Sequence, residues 1–578
     1  MRRAIATIAV LAGIWTIAVW LLDGLVLSIG PLRISSTDAA RPLIVAIIAA
    51  AAYFALSGPT GARADARRIS HAMTRRRLAA ALTITVLIVG LTNNSWGAGA
   101  SDSYSYVSQM DLWRTGTLKV PIAMAAHVPW PNALATFTPF GYAAVTDEMA
   151  IAPITGPGLP MLMALFKTAG GQMAAFMVVP LTGALLVWTT FLLGRRVASD
   201  LIGACAAWLV ATSPTFLMMF KSQMSDVPAA AFCALAMYWA LGTTMRSAVA
   251  SGLAAALAIL VRPNLLPVAL VIAVWLFVKN RGRALVFVAS VAPGCVVLAV
   301  LYDSLFGSPF SSGYGEVDSL FSFENIPQTL ATYPRWLMET HTPIVFAGLF
   351  VFRIAPLLGW TLLAVWGLYV AYLAFDAWWF LRFLLPTWPA MFIGTAAALI
   401  WFLDRGRWGR PAAVTLLVAL GIYGIVITAQ RHVFTRDEGE RRYATIAELV
   451  AAQTEPSAMI LASIHAGSLR YYAGRATVRF DILDPDWLDR GAGWLNQHGR
   501  HPYVLIEDWE MPGFRKRFGP ANTLGELPLA PVLAYKAYGI TGRVYLFDLL
   551  RPDGPTFEPP SIRDPQPRCP PPAEPPLL

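Results

Sequence analysis

One carboxylate stands apart in this chain. Asp102 follows the polar, glycine-rich run NNSWGAGAS and opens the stretch DSYSYVSQMDLWRTG. Tyr106, Met110 and Trp113 fall there at i, i+4 and i+7, and Gly116 is a natural stop, so the stretch reads as a helix. Two accounts of Asp102 are compatible. It is a favoured residue type for a helix N-cap, and it is a carboxylate that a cap would hold in a fixed direction, ready to accept a proton. Asp226, between Met224-Ser225 and Val227-Pro228, reads first as a second cap. The cations divide by context. Lys221 ends an apolar run and can snorkel, Arg382 lies six residues after Asp376 and can pair with it, and Arg335 follows a polar loop. Arg262, ahead of Pro263 and between two apolar stretches, is costly there without a partner. Asp111 and Tyr104 share the Asp102 helix.

The elements that must position these groups are mostly apolar. Hydrophobic residues make up 56% of the 578, charged residues 13%, and the mean hydropathy is +0.56. A soluble fold of this length cannot hide that much apolar side chain, so a bilayer must solvate it. About thirteen spans are expected, near 4–22, 41–57, 78–93, 172–193, 201–220, 227–243, 249–261, 264–278, 284–302, 338–352, 354–374, 383–403 and 412–430. With Met1 inside, alternate loops collect Arg2 and Arg3, six arginines from Arg63 to Arg77, Arg195-Arg196, Arg246, Lys279 to Arg283, Arg353, and Arg405 to Arg410. The opposite loops are longer and hold most of the acids. This asymmetry puts the N-terminus in the cytoplasm and explains the net charge of +10 without nucleic acid. It requires the chain to turn back at Arg262-Pro263, where proline disfavours helix at the preceding residue. The first apolar stretch reads as a retained span. Three of the four cysteines lie in spans and Cys569 in the tail, which is neither a disulfide framework nor a zinc spacing.

Four segments follow. Residues 1–77 carry two spans and a basic loop, and 78–430 carry the remaining spans with outer loops 94–171 and 303–337. The Asp102 helix is expected to lie at the interface with its aromatic side in the lipid headgroups. Residues 436–550 turn soluble: AMILAS, TVRFD, YVLIED and VYLFD read as strands, with helical stretches near 440–453, 468–474 and 485–498, an α/β domain on the extracytoplasmic side. Residues 551–578 hold eleven prolines and read as a disordered tail.

An acidic residue opening a helix early in the first large outer loop resembles the GT-C class of polyprenyl-phosphate-sugar glycosyltransferases, among them protein O-mannosyltransferases and aminoarabinose transferases. TGPGLPMLMALFKTAGG (Thr155–Gly171) is similar to the PPG-x-P-L stretch of that class, with Pro157, Gly158 and Pro160 in register. SPTFLMMFKSQMSDVPAAAF (Ser213–Phe232) looks like an outer turn of bacterial members, and Arg382-Phe383-Leu384-Leu385-Pro386 resembles an Arg-Tyr-x-x-Pro signature. Many members carry Asp-Glu where this chain has Asp102-Ser103, and two spans here precede the usual start.

The resemblance implies a GT-C-like multi-pass enzyme of the bacterial inner membrane. It would move a sugar from polyprenyl phosphate to an extracytoplasmic glycan, lipid or protein, with inversion. Phosphate is already a good leaving group, so one carboxylate suffices, whereas hydrolysis of a glycosidic bond ordinarily takes two. Asp102 would be the base. Arg382, Lys221, Arg262 and Arg335 would be the candidates to hold the phosphate, and Asp226, Asp111 and Tyr104 would support the acceptor or these groups. The resemblance names no definite cofactor. A divalent ion stays open, and Asp111 and His127 are the ligands it would find beside Asp102. His465 and Tyr471-Tyr472 could stack on sugar, or could be core residues of a helix. No glycine-rich nucleotide loop follows a strand, which agrees with a lipid-linked donor. A transporter or flippase for the lipid-linked sugar is the alternative, but such proteins place ionisable groups near the bilayer midplane. A membrane-anchored binding protein would need far fewer spans.

Overall fold

The computed structural model of the protein describes residues 2–21, 25–29, 32–36, 38–72, 74–315, 320–537, 541–561 and 569–573. Residues 316–319 of the 303–337 loop, and residues 562–568 and 574–578 of the proline-rich tail, lie outside the described residues. Among those described, five helices are long and apolar enough to cross a membrane: Ala40–Asp65, Val178–Val197, Arg281–Phe306, Trp378–Leu403 and Gly406–Gln430. Their outward faces are apolar, with Leu285 and Val300 more than 60% exposed. Lipid is the solvent for such surface, and the chain is a multi-pass membrane protein. Six further apolar helices are shorter, 10–17 residues, so the expectation of about thirteen spans rests partly on helices too short to cross alone.

The expected turn at Arg262 is present. Met245–Val261 ends there in extended backbone (φ −147°, ψ 94°), Pro263–Leu265 makes a 3-10 turn, and Leu266–Lys279 follows. Helix Arg281–Phe306 then runs alongside Met245–Val261 in the same direction: Gly282 lies against Met245, Gly252 against Phe287 and Ser290, and Gly294 against Ala256. Lys279 to Arg283 are therefore back at the level of Met245, and Arg283 donates to the Ala240 carbonyl (3.1 Å). The basic loops at Arg246 and at Lys279 to Arg283 thus share one face.

Two spans differ from expectation. The helix after Ala40 continues to Ala72 through a kink at Gly58. The span placed at 338–352 is broken. Ile326–His341 and Pro343–Ile354 meet at Thr342, and the pair is bent by 103°. Pro343 is the local reason, since proline pushes the residue before it out of helical geometry. Much of the expected 303–337 loop is consequently helix.

At the opposite face, strands β1 (Leu25–Ile29) and β2 (Leu32–Ser36) form a hairpin. In the 94–171 segment, β3 (Val120–Pro121), β4 (Tyr142–Val145) and β5 (Ala150–Pro153) form a small antiparallel sheet ordered β3-β5-β4. The helix Asp102–Thr115 lies against this sheet and does not float at the interface. Residues Ser103 to Met110 are all buried, so protein covers both of its faces. Gly141 shows how close the packing is. Its φ is +85°, and a Cβ there would sit 2.5 Å from the Ser105 Cβ and 2.8 Å from the Ser101 carbonyl oxygen. Only glycine meets both demands.

After residue 435 comes an α/β unit. Strands β6 (Met459–Leu461), β7 (Ala476–Val478), β8 (Pro502–Glu507), β9 (Pro531–Tyr535) and β10 (Val544–Asp548) are ordered β7-β6-β8-β10-β9. β6 is parallel to β7 and β8, and β10 is antiparallel to β8 and β9. Helix Arg436–Gln453 precedes β6, and Leu488–Gln497 precedes β8.

A buried charge cluster marks the ends of β6 and β8. Glu507 accepts from His465 Nε2 (2.8 Å), Arg442 (3.0 Å) and Trp509 (2.7 Å). Burial pushes its carboxyl up, but these partners outweigh that and hold it at about 2. Glu510 goes the other way: burial raises it to about 7, and the Glu507 charge adds to the rise. A carboxyl raised in the folded state stabilises fully only below its unfolded value and loses that contribution as pH rises through the folded one. Glu510→Gln should therefore gain stability over the wild type as pH rises from about 5 to 8, by an amount on the order of 3 kcal/mol at the upper end. Thermal unfolding of the full chain in detergent across that range checks it, and a difference that stays flat with pH contradicts it.

Candidate active site

A cavity of about 600 Å³ opens at the end of the bundle where the acidic loops gather, a size that suits a small-molecule site. Four segments build its polar side. The helix Asp102–Thr115 brings Asp102 and Tyr106. The turn at Ser225 and the start of helix Asp226–Ala240 bring Ser225 beside Asp226. The break between Val261 and Leu266 brings Arg262 and Asn264, and the 3-10 helix Trp378–Thr387 brings Arg382.

Neither acid is an N-cap. Ser101 and Ser225 hold the capping positions, and Asp102 and Asp226 are the first helical residues. Each is paired instead with an arginine. Asp102 Oδ2 accepts from Arg382 at 3.1 Å, and its side chain remains 38% exposed to the cavity. Arg382 does not pair with Asp376. Asp226 is fully buried and accepts from Arg262 at 2.7 Å; Arg262 also donates to Ser225 Oγ (3.1 Å), which accepts from Tyr106 Oη (2.7 Å). A buried arginine between half-helices needs this partner. The Phe383 ring lies 5.2 Å from the Arg382 guanidinium and 5.6 Å from that of Arg262, and it stacks on Tyr369 (5.1 Å). It thus fixes both guanidinium planes from one side.

The two arginines have hydrogen-bonding capacity left over. Arg262 Nη1 and Arg382 Nε are buried and have no partner in the protein. A buried donor without an acceptor is costly, and two converging on one cavity suit an anionic group that accepts from both. Asn264 donates to Tyr369 Oη (2.8 Å) while its own Oδ1 is buried and unbonded. Tyr302, Phe310, Tyr314, Phe321, Tyr372 and Phe375 make an aromatic wall on the other side. These wall residues and Ser225 were not legible as site residues, since nothing local distinguishes them from interfacial aromatics.

The TGPG stretch explains how Asp102 and Arg262 come together. Thr155 bonds Ser105 and Gln109 on the Asp102 helix (3.0 Å each). Three residues later, a Cβ on Gly158 would lie 2.5 Å from the Val261 backbone nitrogen. The segment is a strap between the two.

The other candidates are placed elsewhere. Lys221 is buried with its Nζ on the Phe434 carbonyl (2.9 Å), and Arg335 is exposed and paired with Glu339 (3.4 Å). Neither lines the cavity. Asp111 is committed to Lys167 (2.6 Å) and Tyr471 Oη (2.8 Å). Tyr104 packs on Tyr142 and away from the cavity. His127 is exposed, and among the described residues no three His, Cys, Asp or Glu side chains gather as a metal ion would require. The described residues thus offer no set for a divalent ion, and no step below uses one. His465, Tyr471 and Tyr472 are buried, so they are not a sugar-stacking surface.

No family model matches the chain, and no curated protein matches it in sequence. Among solved structures it is similar to ArnT from Cupriavidus metallidurans bound to undecaprenyl phosphate, at 13% identity and a TM-score of 0.47 over 81% of this chain and 97% of that one. It is also similar to the oligosaccharyltransferase AglB from Archaeoglobus fulgidus, in complex with an inhibitory peptide and a dolichol-phosphate, at 12% identity and a TM-score of 0.48 over 82% and 74%. A third is the arabinofuranosyltransferase AftD from Mycobacteria, at 15% and 0.44, over 82% of this chain and 40% of that one.

Proposed function

We propose that the protein is a membrane glycosyltransferase that moves a sugar from a polyprenyl-phosphate donor to a hydroxyl acceptor. The acceptor would sit on the extracytoplasmic side, where the acid-rich loops lie under the positive-inside reading. One observation carries the proposal. A single accessible carboxylate, Asp102, shares a cavity with two arginines, one bonded to it and one neutralised by its own buried aspartate, and each arginine keeps a free buried donor.

The chemistry follows from those groups. The donor phosphate takes the free donors of Arg262 and Arg382. Asp102 removes the proton from the acceptor hydroxyl, and the acceptor oxygen bonds to the anomeric carbon. The bond from that carbon to the phosphate oxygen breaks, and its electron pair leaves on the polyprenyl phosphate. Charge grows on the phosphate as the bond breaks, so the arginines bind the transition state more tightly than the donor.

The test is turnover by purified protein in liposomes loaded with lipid-linked sugars from the native host, followed by mass spectrometry. Release of free polyprenyl phosphate that requires an acceptor extract supports the reading. Passage of intact donor across the bilayer without release overturns it in favour of a flippase.

A further inference from the structure

The parallel strands of the α/β unit have a topological switch point. From β6 the chain passes to β7 on one side, then to β8 on the other, so the connections leaving β6 and β8 diverge. In open α/β sheets, the crevice outside the carboxyl ends of such strands is where ligands bind. His465, after β6, and Glu507, at the end of β8, meet there at 2.8 Å.

That edge is covered by this chain's own residues 97–104. A Cβ on Gly99 would lie 2.3 Å from the Tyr443 ring, which itself lies tilted against the His465 ring (4.7 Å). Gly97 lies over the backbone of Glu440 and Arg441. The Ala98 N–H donates to Tyr472 Oη (2.8 Å), and a Cβ on Gly467 would lie 2.4 Å from the Tyr104 ring. Farther along the same helix, one residue past Met110, Tyr471 Oη donates to Asp111 (2.8 Å). The α/β unit therefore grips the Asp102 helix by its lead-in and again at Asp111.

The lead-in is strained. Trp96 and Ala100 both have positive φ, 50° and 49°, which costs a non-glycine residue of the order of 1 kcal/mol each. Such conformations persist only where the surroundings over-determine them. Here the Trp96 ring stacks on Phe176 of the bundle (6.4 Å), and the α/β unit holds the residues between the two strained positions, Gly97 to Gly99.

From these contacts we infer that the α/β unit is the holder of the catalytic loop, and that Tyr472 is a positioning residue for Asp102. The crevice that would take a ligand in a free-standing domain takes residues 97–101 instead. The Tyr472 hydroxyl accepts a hydrogen bond four residues before Asp102, and no other part of Tyr472 is needed for this. The inference rests on the reading of Asp102 as the base, and displacement of a base by about 1 Å costs up to about 100-fold in rate.

The experiment compares wild type, Tyr472→Phe and Tyr503→Phe as full chains in liposomes. Tyr503 is a control of equal chemistry, since its hydroxyl bonds Glu455 (3.1 Å), away from the loop. Two quantities are read: kcat against KM for the donor, and hydrogen exchange at residues 97–104. The inference expects Tyr472→Phe to lower kcat by 10- to 100-fold with KM within twofold, to speed exchange in 97–104 at least tenfold, and to leave the Tyr503→Phe protein like wild type. It is overturned if Tyr472→Phe matches wild type in both readouts, if KM rises while kcat holds, or if Tyr503→Phe has the same effect. A wild type that never releases polyprenyl phosphate sinks the glycosyltransferase reading itself. Loop exchange that responds to Tyr472→Phe in that protein would still show the hold.

Discussion

Asp102→Asn is expected to lower turnover by a factor of about 10² to 10⁴, the range a positioned base contributes, while leaving donor binding within a few fold. The side chain is nearly isosteric and keeps an oxygen for Arg382, so the 3.1 Å contact survives without its charge. The phosphate donors belong to the arginines, and with the carboxylate charge gone the cavity repels an anionic phosphate less. Tighter donor binding with almost no transfer is the signature. It is measured as retention of radiolabelled donor by the detergent-solubilised variant beside its rate of polyprenyl phosphate release. An Asp102→Asn protein that turns over within threefold of wild type would remove Asp102 from the chemistry.

The second large effect lies one layer deeper. Asp226→Asn leaves Arg262 buried with its charge uncompensated. Breaking a buried pair from one side costs about 3–5 kcal/mol, so the variant should lose much of its thermal stability and bind donor poorly as Arg262 swings to find another partner. The double variant Asp226→Asn, Arg262→Gln removes both charges and should regain most of the stability, because the unpaired charge is gone. It should remain inactive, since the phosphate has lost a donor. Unfolding temperatures of the three proteins, with turnover beside them, separate a structural pair from a working one. Equal stability of wild type and Asp226→Asn would contradict the burial on which the site rests.

Parts of this architecture were legible because they depend on local chemistry. The Asp102 helix begins at Asp102 and ends with Gly116 at φ 79°, as its glycine implied. The reversal at Arg262-Pro263 was legible from a proline together with the charges on either side of it. The strands β6, β7, β8 and β10 were legible as short runs of branched and aromatic residues, whereas β9 was hidden in the run LPLAPVLAY, whose prolines read as loop.

What covers each face was not legible. Tyr106 and Met110 have the spacing of a lipid-facing stripe, and periodicity alone does not distinguish lipid from protein as the apolar neighbour. The same limit hid the pairing of Asp102 with Arg382, which are 280 residues apart. Both acids looked like caps because they open helices, and the serine before each of them occupies that position instead. Lys221 and Arg335 had the right charge and the right sidedness, but sidedness does not fix depth or direction.

The central claim is that one carboxylate does the work, so the bond to phosphate breaks in a single displacement. Its most direct test is the configuration at the anomeric carbon, read by NMR in the lipid-linked donor and in the glycosylated product from the same reaction. Inversion is the predicted result. Retention would require a covalent sugar-enzyme intermediate or a second nucleophilic carboxylate in the cavity, and would contradict the account.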